Sequence, residues 1–126
     1  MYSMRIDAIS RLLLRSYARN ISTAAANKSI INDIRSNTDI ADSTFYDYVN
    51  ALKKLYVIQD VEAWCPAIRS KTAIQATDKR EFADPSLVTA ALGVDPEYFN
   101  LDLKTFGFIF ETLCIRDLKV YSLSQN

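Results

Sequence analysis

The sequence predicts a mainly α fold with a small β component, and three observations predict it. Apolar residues recur at three- and four-residue spacing through residues 4–19, 26–36, 42–56 and 101–121. Alternating, β-branched runs are confined to the stretch between residues 57 and 83. The composition is globular: 126 residues, 49% hydrophobic and 24% charged, enough to bury a core without metal or disulfide staples.

Taken in order, residues 4–19 read as an amphipathic helix with Ile6, Ile9, Leu13 and Tyr17 on one face. Arg11, Arg15 and Arg19 sit four apart and form a stripe on the opposite face. A shorter helix is expected over residues 26–36, with Ile30, Ile31 and Ile34 inward, followed by a turn at Asn37-Thr38-Asp39. The next helix is expected over residues 42–56, with Asp42 or Ser43 as its N-cap. Its apolar seam is Phe45, Tyr48, Val49, Leu52, Leu55 and Tyr56. Residues 57–62 then alternate and predict a strand, with weaker candidates at residues 72–77 and 80–83.

Three closely spaced helices followed by strands is the order of a winged helix-turn-helix, with the strands as the wing. The full expectation is a winged helix-turn-helix over residues 1–83 and additional C-terminal helices over residues 84–126. Asp84-Pro85 is a helix start, an acidic cap before a proline at the first helical position, and Gly93 is the matching stop. Asp95-Pro96 repeats the start signal. Residues 101–121 predict one long helix with Phe106, Ile109, Phe110, Leu113, Asp117 and Tyr121 roughly on one side.

Chemistry is constrained by what is missing. The sequence has no histidine, which removes His-dependent nucleophile activation and every His-containing zinc site. Its two glycines, Gly93 and Gly107, are too far apart to write a phosphate-cradling loop. The acids Asp84, Asp95, Glu97, Asp102, Glu111 and Asp117 are scattered, and they read as helix caps and a solvated face. No catalytic residue, metal site or cofactor is expected. Cys65 and Cys114 have no metal-ligand spacing. Reduced thiols are the favoured reading, and a disulfide between them stays open. With no signal-peptide core and no membrane span, a cytoplasmic chain is expected.

Fifteen bases balance fifteen acids, so no whole-chain positive field marks a nucleic-acid binder. Two local basic features remain: the Arg11, Arg15, Arg19 stripe and the group Arg69, Lys71, Lys79, Arg80 around the expected wing. Asp39, Asp42 and Asp47 oppose them, because carboxylates at the start of a recognition helix would be repelled by phosphates. Such donors would meet the DNA backbone weakly and without sequence preference.

The run Trp64 to Lys71, Asp84-Pro85-Ser86-Leu87 and residues 106–111 (Phe-Gly-Phe-Ile-Phe-Glu) carry a family resemblance. Over residues 5–122 the chain resembles the region after the ATPase module in prokaryotic AAA-type P-loop ATPases with a C-terminal domain of unknown function. The resemblance implies a winged helix followed by the first helices of a restriction-endonuclease-like domain. Glu111 would match that domain's helix carboxylate. The ATPase half and the metal-binding sheet would lie outside these residues, so the chain reads as a truncated, non-enzymatic part of its parent.

Two functions follow. In the first, the winged helix is a non-catalytic module that couples or docks the ATPase to a protein partner. In the second, it holds the DNA backbone for the same ATPase. A membrane role is not expected, and exposed apolar surface between residues 106 and 118 would allow the chain to pair with itself.

Overall fold

A computed structural model describes residues 2–62 and 77–125. The chain is mainly helical: α1 (Tyr2–Arg19), α2 (Asn27–Arg35), α3 (Asp42–Lys54), α4 (Pro85–Leu92), a 3-10 helix (Pro96–Asn100) and α5 (Leu103–Ser124). The expected helices are all present. Arg69, Lys71, Cys65, the Trp64–Lys71 run, most of the strand candidate at 72–77 and the Ile6 side chain lie outside the described residues.

Residues 57–61 pair antiparallel with residues 79–83 through the bridges Ile58–Phe82 and Val61–Lys79. Four backbone hydrogen bonds hold one register, including Gln59 N–H to the Glu81 carbonyl at 3.0 Å and Ala83 N–H to the Val57 carbonyl at 3.0 Å. The connector after α1 adds a further line to this ladder. Ser22 N–H donates to the Arg80 carbonyl at 2.8 Å, and Arg80 N–H donates to the Thr23 carbonyl at 2.7 Å.

Side chains alternate across a strand, so the register assigns each residue a face. Ile58, Asp60, Arg80 and Phe82 face α1, where the Phe82 ring meets Tyr17 edge-on at 6.2 Å. Lys79 and Glu81 face α5 instead, meeting Glu111 and Thr112. The ladder is therefore covered on both sides.

One core joins the elements. Ile9, Leu13 and Tyr17 of α1 pack with Ile30 and Ile34 of α2, Phe45 and Val49 of α3, and Ile58 and Phe82 of the ladder. Val88 of α4 and Ile109 of α5 belong to the same cluster, so packing runs across the 83/84 boundary. Helix α4 lies against α1, its N-terminus capped by Asp84, which accepts from Ser86 N–H at 2.8 Å, with Pro85 at the first helical position. Gly93 ends it at φ 69° in the left-handed region, the conformation in which glycine carries no Cβ penalty.

Three local expectations are corrected. Helix α3 starts at Asp42 with Ala41 as its N-cap and no side-chain cap; the Asp42 carboxylate accepts from Arg35 at 2.8 Å instead. The same helix stops at Lys54 rather than 56, which leaves Leu55 70% and Tyr56 74% exposed and only partly buries Leu52. Tyr56 takes φ 59°, and its N–H and that of Val57 donate back to the Lys53 and Leu52 carbonyls at 3.1 and 3.0 Å. That is a Schellman ending built without glycine. In α5, Ile109 and Thr112 are the buried residues, while Phe106, Phe110 and Tyr121 are exposed.

Candidate functional site

The described basic residues singled out from the sequence, Arg11, Arg15, Arg19, Lys79 and Arg80, do not form one surface. Arg80 is 5% exposed and holds the interior together. Its Nε donates to the Ala25 carbonyl at 2.9 Å and its Nη2 to Asn27 Oδ1 at 2.6 Å. Its Nη1 donates to the Tyr17 hydroxyl at 3.0 Å and to Asp60 Oδ2 at 3.2 Å. Tyr17 in turn donates to the same Asp60 oxygen at 2.7 Å, and the guanidinium lies 5.4 Å from the Tyr17 ring centroid. Burial, followed by the Asp60 charge, raises the Tyr17 hydroxyl well above its ordinary range. Arg80 is thus removed from the candidate phosphate contacts, because every face of its guanidinium is spent inside the fold.

Most of the remaining described cations also face carboxylates. Lys79 pairs with Glu111, Arg11 with Asp7 at 3.2 Å and Arg19 with Asp33 at 3.6 Å. The Arg11–Asp7 pair is exposed on both sides and the Arg19–Asp33 pair on its arginine side, and such pairs are weak. Arg15 has no ion pair among the described residues.

Glu111 belongs to a second polar cluster, built where α5 crosses the ladder. Beside the Lys79–Glu111 pair lies Glu81, 1% exposed. Ser22 Oγ donates to Glu81 Oε1 at 2.7 Å and Thr112 Oγ1 donates to Glu81 Oε2 at 2.8 Å. Ser22 Oγ also reaches the Phe108 carbonyl at 3.1 Å. Burial pushes the Glu81 carboxyl up; the two hydroxyls lower it, Glu111 raises it further and Lys79 opposes that. The connector, the ladder and α5 thus meet on one buried carboxyl group. Neither Glu81 nor Ser22 stood out in the sequence, since one charge in an alternating run and one serine in a connector carry no positional signal. Among the described residues no group of three or more His, Cys, Asp or Glu is placed to hold a metal ion.

The concave surface lies elsewhere, along α1. One chamber of about 490 Å³ is formed between α1 and α4 over Leu14, Val57, Phe82 and Leu87. A second of about 450 Å³ continues it toward the start of α5, over Ala18, Ile21, Val94 and Phe108. Arg15 and Leu92 line both. Arg11 stands at the first chamber and Arg19 and Lys104 at the second, with no acidic residue lining either. The arginine stripe expected from the sequence is therefore the wall of a groove.

On its outer side α5 is bare. Leu103, Phe106, Phe110, Leu118 and Tyr121 are exposed, and Phe106 stacks with Phe110 at 6.5 Å. A separate apolar hollow of about 470 Å³ lies where Val61 faces Ile115 and Leu118. No helix among the described residues is long and apolar enough to cross a membrane.

A family profile described as domain of unknown function DUF8612 matches residues 4–98. The chain belongs to the DUF8612 family. The matched region of this family member contains α1 from its third residue onward, α2 to α4, the ladder and every residue lining the first of the two groove chambers. Helix α5, with Glu111 and Thr112, lies beyond it. Searches among curated proteins and among solved structures return no match.

Proposed function

We propose that this chain is a non-catalytic winged-helix module that docks an AAA-type ATPase onto a protein partner. The observation that carries this reading is the fate of the basic residues. Arg80 is buried, and Lys79, Arg11 and Arg19 each have a carboxylate partner. A surface built for the DNA backbone needs several unpaired donors at once. Asp47 in the second turn of α3 adds negative charge where a recognition helix would meet phosphate, and Asp42 at its start is already paired with Arg35. The bare apolar face of α5 supports docking, since large exposed apolar patches mark interaction sites. Support for the winged-helix arrangement comes from three helices followed by a ladder whose third line is the connector after α1.

A fluorescence titration of duplex DNA at low and physiological salt tests this reading, using the wild type and an Arg69→Ala, Lys71→Ala double variant. Docking predicts no saturable binding at physiological salt. Saturable binding at about 10⁻⁴ to 10⁻⁶ M or tighter, weakened in the double variant and steeply dependent on salt, would replace docking by a DNA-backbone role.

A further inference from the structure

We infer that the groove along α1 is a peptide-docking site for a short acidic segment of the partner, with two apolar anchors flanking its carboxylates. This rests on the docking reading and names the partner's chemistry. The two chambers share Arg15 and Leu92, so they form one elongated groove rather than two unrelated hollows. Arg11 to Arg19 spans about 12 Å of helix, the reach of three or four extended residues. Each chamber has an apolar floor and is roomy enough to admit a large apolar side chain together with neighbouring peptide atoms.

The charge on the groove lining is of one sign, although Asp7 and Asp33 just outside it pair with Arg11 and Arg19. In a chain with equal numbers of acids and bases, its lining holds Arg11, Arg15, Arg19 and Lys104 and no carboxylate. Arg15 stands where the chambers join and has no ion pair among the described residues, and neither has Lys104. Asp102, the nearest acid to Lys104 in sequence, accepts from Thr105 N–H at 3.1 Å and from the Tyr98 hydroxyl at 3.0 Å and feels the Lys104 charge without forming an ion pair with it. Two cations beside an apolar floor fit a carboxylate set between two apolar side chains. A sugar–phosphate backbone would satisfy the cations but leave both floors facing polar sugars. Bound peptide carboxylates would make charge-assisted hydrogen bonds to Arg15, the strong class of such contacts.

The experiment selects peptides from a displayed random twelve-residue library on the purified chain. Selected peptides are then measured by fluorescence anisotropy against the wild type, Arg15→Glu, Lys104→Glu and Phe110→Glu. The expected peptides carry apolar residues on either side of one or two acids. They bind Arg15→Glu and Lys104→Glu at least about tenfold more weakly, the loss of one charge-assisted hydrogen bond. Replacing their acids by lysine restores binding to Arg15→Glu, and Phe110→Glu has no effect. Failure to select peptides, or peptides without acids, overturns the groove assignment. Peptides weakened by Phe110→Glu and untouched by Arg15→Glu also overturn it, while leaving docking intact on α5. The docking reading itself falls only by the DNA titration.

Discussion

Arg80 and Asp60 face each other across the ladder with 6% and 5% of their side chains exposed. A buried pair contributes little net stability when complete, but removing one partner strands the other charge. Arg80→Ala should therefore cost about 3–5 kcal/mol in a urea unfolding experiment. Lys53, 3.7 Å from the same Asp60 oxygen, sets the lower end by remaining as a partial partner. Glu81 behaves in the opposite sense. Its folded-state pKa is raised above 4.5, so the fold binds this proton more tightly than the unfolded chain does. The stability it confers is full below pH 4.5 and is lost as pH rises through the raised value. In Glu81→Gln the amide can donate to one hydroxyl and accept from the other. The difference in unfolding free energy, wild type minus variant, should fall as pH rises above about 4.5. A flat difference would mean that Glu81 does not titrate in that range. Neither role was readable in advance. Alternation fixes that Arg80 and Glu81 point to opposite faces, but only the placement of α1 and α5 makes both faces interior. Asp84-Pro85 and Gly93 were readable, because a cap is decided by the residues beside it.

Helix α3 shows the same division at the next scale. Its periodicity located the helix and its inward residues Phe45 and Val49, yet ran two residues past the true end. Leu55 and Tyr56 continue the apolar spacing, and no glycine marks the stop. Tyr56 instead bears a left-handed backbone with its ring exposed, a conformation costing an ordinary residue about 1–2 kcal/mol. Part of that gain is offset when glycine replaces it, because glycine makes the unfolded chain freer. Tyr56→Gly should thus stabilise the protein by about 0.5–1 kcal/mol, read as a rise in the urea midpoint at unchanged slope. No change would mean that the tyrosine ring contributes contacts of its own. For α5 the long apolar pattern was sufficient to predict a helix but not to choose its buried side. Apolar residues surround most of it, and the inward side is set by Ile109 and Thr112 meeting the connector and ladder.

The described residues share one core, with a long helix on its edge. The order of helices and strands was legible because each element announces itself locally. The groove was not, since it exists only where α1, α4 and the start of α5 converge from distant parts of the sequence. The seat of α5 has a kinetic consequence. Its two buried residues, Ile109 and Thr112, lie in its middle, and Val120 to Gln125 are all exposed. Every turn is hydrogen-bonded within the helix, but tertiary contact holds only part of it, and short helical stretches without such contact are marginal in water. Amide hydrogens of α5 should therefore exchange with deuterium in a gradient along one unbroken helix. Those near Thr112 should be protected nearly to the depth of global unfolding, and those past Val120 should open locally and exchange close to the free rate. Uniform protection to Ser124 would mean that a further contact clasps the end of this helix in solution.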